Sequence, residues 1–275
     1  MVRQDEPSPA ARSGGAYLDF WDGVGEHFPL LKGAPSTAYY FECERLLHEQ
    51  FFPDLRGRRL LKTDLWDEAK NTEILRWAAE QGARPLGIDI SLPTVRQAAA
   101  VLAAHRPWVL LGDVRAIPLQ ADSVDLIYSM GTIEHFPEYR AALAEIFRVL
   151  RPGGRAIVGV PNRWDPFLRP LLVAAWNLVG RYPYGMEKAF APGELRRLLA
   201  EAGFRPVALS GILFMPGWLR MVDLWLHARS SRLTRLTGWL VRPFAWLYRR
   251  VPAVRRHGYL IAWVVDKPDG AAHER

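Results

Sequence analysis

Several acidic positions and one histidine fall where apolar runs end, which is where a side chain can do chemistry. Asp64 stands near the end of RLLKTDL (59–65) and Glu68 just after it, in the stretch KTDLWDEAKN, Asp89 sits in GIDIS, Asp113 in GDV, and Glu134 and His135 close MGTIEH. A carboxylate closing a strand can accept both hydroxyls of a ribose, a charge-assisted contact of roughly 1.5–3 kcal/mol. A second one, after the next strand, could accept from an adenine amine. Each also has an ordinary use, Asp89 as a cap for the following helix and Asp113 as a turn former. A neutral histidine can take a hydroxyl proton near pH 7, although His135 could equally cap a helix. His27, His48, His105 and His227 have no partner spacing and read as ordinary histidines. The single cysteine, Cys43, excludes a disulfide framework, a cysteine-ligated zinc and an iron–sulfur cluster, and fits a reducing, cytoplasmic setting.

Positioning these groups takes strands. Short apolar runs at 59–65, 84–91, 108–114, 123–130, 155–161, 204–211 and 258–267 read as seven strands. Helical spacing covers 36–55, 72–81 (N-cap Asn71 or Thr72), 93–105, 139–150 and 191–202, with RPGG (151–154) as a tight turn. Strand and helix in alternation specify an α/β fold, a doubly wound, seven-stranded and mostly parallel sheet covered on both faces. In such a sheet ligands bind beyond the carboxyl ends of the strands. The expected organisation is a flexible tail over 1–16, a helical cap over 17–57, a core over 58–211, a basic amphipathic helical insertion over 212–257, the last core strand over 258–268 and a short tail over 269–275. No secretory leader is visible at the start and no run of 18 apolar residues occurs.

Charge is concentrated in the insertion. The chain carries 36 basic and 29 acidic residues, net +7. Between Trp218 and Arg256 stand nine arginines, no lysine and one acid, Asp223, so the rest of the chain is close to neutral. Four tryptophans (218, 225, 239 and 246) share the stretch with Tyr248, and Leu219, Val222 and Leu226, then Leu233, Leu236 and Leu240, recur at helical spacing. Pro216, Pro243 and Pro252 are expected to divide it into short helices. Arginine mixed with tryptophan and leucine suits an anionic membrane surface better than nucleic acid. The plain alternative is a lid packed on the domain with its arginines solvated. Residues 166–180 are similarly apolar and could join that surface or cover the pocket.

GIDIS, GDVRAIPLQADSVDLIYSMGTIEHF, RVLRPGGRAIVGVPN and FAPGELRRLLAEAGF, in that order, resemble the class I S-adenosylmethionine-dependent methyltransferases, closest to the type 11 group. The resemblance spans roughly residues 58–211 and the last strand. It implies a Rossmann-like methyltransferase fold and S-adenosylmethionine as cofactor. It also implies Asp89 with Ile90, and Asp113 with Val114, at the nucleoside, and Met130 to His135 lining the transfer site, with Glu134 and His135 orienting or deprotonating the acceptor. The departure is the loop after the first strand, which in the family is of the kind D-x-G-x-G-x-G and here has no glycine and a bulky Trp66. Two readings follow. Either the loop takes another path and Asp64 with Glu68 holds the positively charged methionine end, or the pocket is lost and the chain is a non-catalytic membrane-peripheral scaffold. Related quinone-biosynthetic enzymes carry a further Glu where Gly131 stands here, so no metal is expected. The acceptor expected is a small hydrophobic or lipid-like molecule met at the inner face of a membrane; an RNA methyltransferase is the remaining alternative.

Overall fold

Strands buried on both faces need unbroken apolar runs, and VDLIYSM and LIAWVVD supply them. In the computed structural model, which describes residues 14–52, 54–180, 182–230 and 234–270, seven strands form: β1 (Arg59–Lys62), β2 (Arg84–Asp89), β3 (Trp108–Leu111), β4 (Val124–Met130), β5 (Leu150–Pro161), β6 (Arg205–Ile212) and β7 (Leu260–Asp266). Their order is β3-β2-β1-β4-β5-β7-β6, with β7 antiparallel to both neighbours and the other pairs parallel. The chain reverses direction across the sheet between β1 and β4, so a crevice opens at their carboxyl ends.

Helices α2 (Pro35–Phe51), α4 (Ile74–Glu80) and α5 (Leu92–Leu102) cover one face through Cys43, Leu47, Ile74 and Ala98. Helices α6 (Tyr139–Val149) and α8 (Pro192–Glu201) cover the other through Leu143, Ile146, Leu195 and Leu199. Helix α1 (Gly14–His27) lies on α5, where Asp22 accepts from the Leu92 amide at 3.0 Å. A short α3 (Trp66–Lys70) follows β1, and α7 (Arg169–Leu178) follows β5. The insertion forms α9 (Gly217–His227) and α10 (Thr234–Arg250).

Several local expectations are corrected. Residues 14–16 belong to α1 and not to a tail; residues 1–13 and 271–275, like Arg232 and Leu233 of the insertion, lie outside the described residues. RPGG is a bulge within β5: Val124 pairs with Leu150, Leu126 with Arg155, and Gly153 takes φ +69°. The helix expected over 72–81 starts at Ile74 because Glu73 adopts a left-handed φ of +59°, which separates α3 from α4. Pro243 lies inside the 17-residue α10 and does not divide it. Tyr248 faces inward, buried, and donates to the Gly211 carbonyl at 2.8 Å.

The glycine that the site needs sits in β2. A Cβ at Gly87 would stand 2.3 Å from Cδ2 of the fully buried Leu65, whose loop crosses this strand. We expect Gly87→Ala to cost about 1–3 kcal/mol through overpacking, read as a lower urea midpoint with an unchanged m value.

Candidate active site

A cavity of about 1170 Å³, counted with its open mouth, lies beyond the carboxyl ends of the strands. Its wall is built from the residues that leave them: Thr63 and Asp64 after β1, Asp89 to Ser91 at β2, Gly112 to Val114 after β3, Met130 to Thr132 at β4 and Pro161 at β5. Tyr17 and Trp21 of α1 line it as well, as do Arg169, Tyr182, Tyr184, Glu187, Arg220 and Tyr259.

The floor is a buried charge cluster. Lys62, 1% exposed, ends β1 with its Nζ 3.1 Å from Asp64 Oδ1, 3.0 Å from Asp67 Oδ2 and 3.4 Å from Glu68 Oε2. Burial alone would lower the pKa of this ammonium, but the carboxylates of Asp64, Asp67, Glu68 and Glu44 hold it well above the usual value. Burial pushes Glu68 up to about 7, with Lys62 pulling the other way. Glu68 also accepts from the Leu75 amide at 2.8 Å, which ties α3 to α4. It lies beneath the loop and does not line the cavity, because the lysine and this amide occupy it. Asp64 does line the cavity, with Oδ2 accepting from Thr132 Oγ1 at 3.2 Å. The glycine-free loop has therefore folded into a helix over an ion cluster, with the cavity open above it.

Asp89 does not cap α5; Ser91 does, accepting from the Thr94 amide at 3.4 Å. Instead, Asp89 accepts one backbone amide on each oxygen, Leu65 N and Ser91 N, both at 2.8 Å. These fix its rotamer and leave further lone pairs free toward the cavity. Burial raises its pKa to about 7 despite both amides, and neighbouring Asp64 adds to the rise. Asp113 is held more tightly than expected: the Arg115 guanidinium binds it at 2.6–3.0 Å on both oxygens and is in turn covered by Tyr17 and Phe136. Ile90 and Val114 line the wall beside these two carboxylates.

Met130, Glu134 and His135 also line the cavity. His135 Nδ1 is 2.9 Å from the Met186 carbonyl, an acceptor only, so Nδ1 carries the proton and Nε2 keeps its lone pair. Burial lowers the His135 pKa, which favours the neutral ring. Glu134 Oε1 is 3.8 Å from Nε2, and burial, with Glu187 close by, raises Glu134 far above the carboxylate range. Burial thus pushes both members of the pair toward their uncharged forms. Glu187 is the charged member: burial opposes its ionisation, but Arg169 clamps both of its oxygens, holding its pKa below the usual value, while the Tyr182 hydroxyl donates to it. Among the described residues no group of three or more His, Cys, Asp or Glu is arranged to hold a metal ion.

The structure thus brings Asp64, Asp89, Ile90, Asp113, Val114, Met130, Glu134 and His135 around one cavity and leaves Glu68 outside it. The residues present fit S-adenosylmethionine: three carboxylates (Asp64, Asp89 and Asp113) would meet its hydroxyls, amine and positive centres, in a cavity with an aromatic far wall. The arginines and tyrosines of 162–190 and α9 were missed. Tyr182, Tyr184 and Glu187 carry one sequence signal, RYPYGMEK, a polar and aromatic island after an apolar helix, whereas Arg169 and Arg220 carry none.

Residues 70–158 match the methyltransferase domain family Methyltransf_11. The malonyl-[acyl-carrier protein] O-methyltransferase of Salmonella typhimurium is 40% identical over 119 residues, 43% of this chain and 45% of that protein. The ubiquinone biosynthesis O-methyltransferase of Idiomarina loihiensis is 25% identical over 218 residues, 77% of this chain and 85% of that one. An S-adenosylmethionine-dependent methyltransferase of Thermotoga maritima superposes with a TM-score of 0.59 at 16% identity, over 91% of this chain and 99% of its own, a likeness of fold.

Removing the cation from the floor would leave buried carboxylates unpaired. We expect Lys62→Met to cost about 3–5 kcal/mol at pH 7. The cost should shrink as pH falls and those carboxyls protonate, measured by urea unfolding across pH 5–8.

Proposed function

We propose that this chain, a class I S-adenosylmethionine-dependent methyltransferase of the type 11-like group, methylates a hydroxyl of a small hydrophobic acceptor that it meets at an anionic membrane surface. When bound, the cofactor supplies an electrophilic methyl group on a sulfonium. Asp89 and Asp113 would hold its nucleoside, and Asp64 its charged methionine end. The proton of the acceptor hydroxyl passes to His135 Nε2, the lone pair left free by the Met186 carbonyl. Alignment against the aromatic wall supplies the rest of the acceleration. Transfer to oxygen also agrees with the two curated relatives, both named as O-methyltransferases.

The observation that carries the membrane reading is the outer surface of the insertion. Trp218, Val222 and Trp225 of α9 fall at i, i+4 and i+7 and are all exposed; Leu236, Trp239, Leu240, Pro243 and Trp246 do the same on α10, with Trp239 74% exposed. Arg235, Arg242 and Arg249, each a heptad apart, flank that stripe in solvent. Helix α7 packs beside α9 and exposes Leu171 and Leu178. Three adjacent helices with apolar, tryptophan-rich outer faces and basic margins have the character of an interfacial anchor. No helix among the described residues is long and apolar enough to cross a membrane. The inner faces of α9 and α10 pack on α2, and Tyr248 reaches β6, so the lid alternative explains half of each helix and leaves the exposed half unexplained. The scaffold alternative loses its support, since the atypical loop leaves a cavity lined by polar groups.

Calorimetric titration with S-adenosylhomocysteine tests the cofactor reading. Asp89, rising to about 7 in the free protein, must ionise to accept two hydroxyls, so affinity should strengthen as pH rises from 6 to 8, by up to about tenfold. Asp89→Asn should abolish that slope, and a pH-independent wild type would remove Asp89 from the site.

Flotation with phosphatidylglycerol-containing vesicles tests the membrane reading. We expect binding that weakens with added salt and falls at least tenfold in Trp218→Ser/Trp225→Ser/Trp239→Ser. A salt-dependent RNA shift without vesicle binding would overturn it.

A further inference from the structure

We propose that Arg220, carried into the cavity by the insertion, is an anion subsite that takes the carboxylate of the cofactor's amino-acid end. The proposal rests on the S-adenosylmethionine reading above.

Arg220 lines the cavity from the inner face of α9 and is 7% exposed. Its partners are neutral and distant: Nη1 donates to Ser36 Oγ at 3.2 Å, Nη2 to Asn71 Oδ1 at 3.4 Å, and the guanidinium lies 5.2 Å from the Tyr40 ring centre. Among the described residues no carboxylate comes within 4 Å of it. Asp223, one turn along the same helix, is engaged elsewhere, by the Ser36 amide at 2.8 Å and the Thr237 hydroxyl. The cavity's other arginine, Arg169, is neutralised by Glu187. A buried guanidinium with no counter-charge is costly, and five donors with two long neutral contacts leave its fork unfilled. Such a fork matches a carboxylate in two-point contact.

Its neighbours indicate which carboxylate. Asn71 Nδ2 donates to Asp67 Oδ1 at 2.8 Å, and Asp67 is bound to Lys62, which also holds Asp64. Arg220 and Asp64 are therefore joined through one network at the same end of the cavity. An anion and a cation set side by side complement an α-amino acid, with Asp64 facing the ammonium and Arg220 the carboxylate. The family's glycine-rich loop brings backbone to this end of the cofactor; here two charged side chains, one from a segment far along the chain, take that place.

Three probes separate the roles: S-adenosylhomocysteine, its decarboxylated analogue and 5′-methylthioadenosine, titrated into wild type, Arg220→Met and Arg220→Lys. Wild type should bind S-adenosylhomocysteine at least tenfold more tightly than the decarboxylated analogue. Arg220→Met should erase that preference while leaving methylthioadenosine within twofold, and Arg220→Lys should restore part of it. Equal binding of the first two probes by wild type overturns the assignment without reliance on any variant. An Arg220→Met protein weakened alike toward all three also overturns it, by showing a merely structural role. Folded wild type that binds none of the three removes the cofactor reading itself, and the methylthioadenosine titration tells that failure from the others.

Discussion

A lysine buried at the end of a central strand dictates how this site is built. An ammonium removed from water loses several kcal/mol of solvation, and only close carboxylates can return it. Lys62 has three within 3.4 Å, from residues two, five and six positions further on. Bringing all three back to one nitrogen requires the chain to turn at once, which is why α3 forms where the methyltransferases it resembles carry a glycine-rich loop. Leu65, lifted by that turn, needs a strand without a Cβ beneath it, and Gly87 provides one. The Leu65 amide then binds Asp89, so a carboxylate at the end of the next strand is aimed by the same turn.

The cluster also explains how the insertion joins the core. Asp67 holds Asn71, Asn71 accepts from Thr37 of α2 at 2.9 Å and from Arg220 of α9, and Asp223 of α9 accepts from Ser36 of α2. Three segments far apart in the chain thus share one polar network above β1. A buried polar network of this kind favours one arrangement of helices where apolar packing alone would allow several.

The strand positions and the residues that leave them were legible because they depend on local rules. Apolar runs bounded by Gly, Pro and Asp mark strands, and the topology places their carboxyl ends together. Asp64, Asp89, Asp113, Glu134 and His135 could be found on that basis. Glu68 misled because α3 turns it beneath the loop, onto Lys62 and the Leu75 amide, while Asp64, before the helix, stays at the cavity. RPGG read as a turn because its glycines fit one, whereas the partner strands that make it a bulge come from elsewhere in the chain. Pro243 read as a break because helix propensity speaks against it, yet the inner face, with Val241, Ala245 and Tyr248 buried where the helix packs on α2, outweighs that local cost. Arg220 was one of nine similar arginines in sequence; only the packing of α9 singles it out.

That packing gives α9 two faces that cannot move independently. Trp218, Val222 and Trp225 point to solvent while Arg220 and Asp223 point to the cavity and α2. The helix has 11 residues, about 16 Å at 1.5 Å per residue, too short to bend between its faces. A shift of its outer face on docking would therefore displace Arg220 by a similar amount. Any coupling between docking of α9 and anion binding at Arg220 would, on the proposed reading, act equally in both directions. On the proposed reading, the membrane surface would then do more than concentrate the acceptor: it would bias the helix that completes the methionine end of the cavity, so that the site is best formed where the acceptor is found.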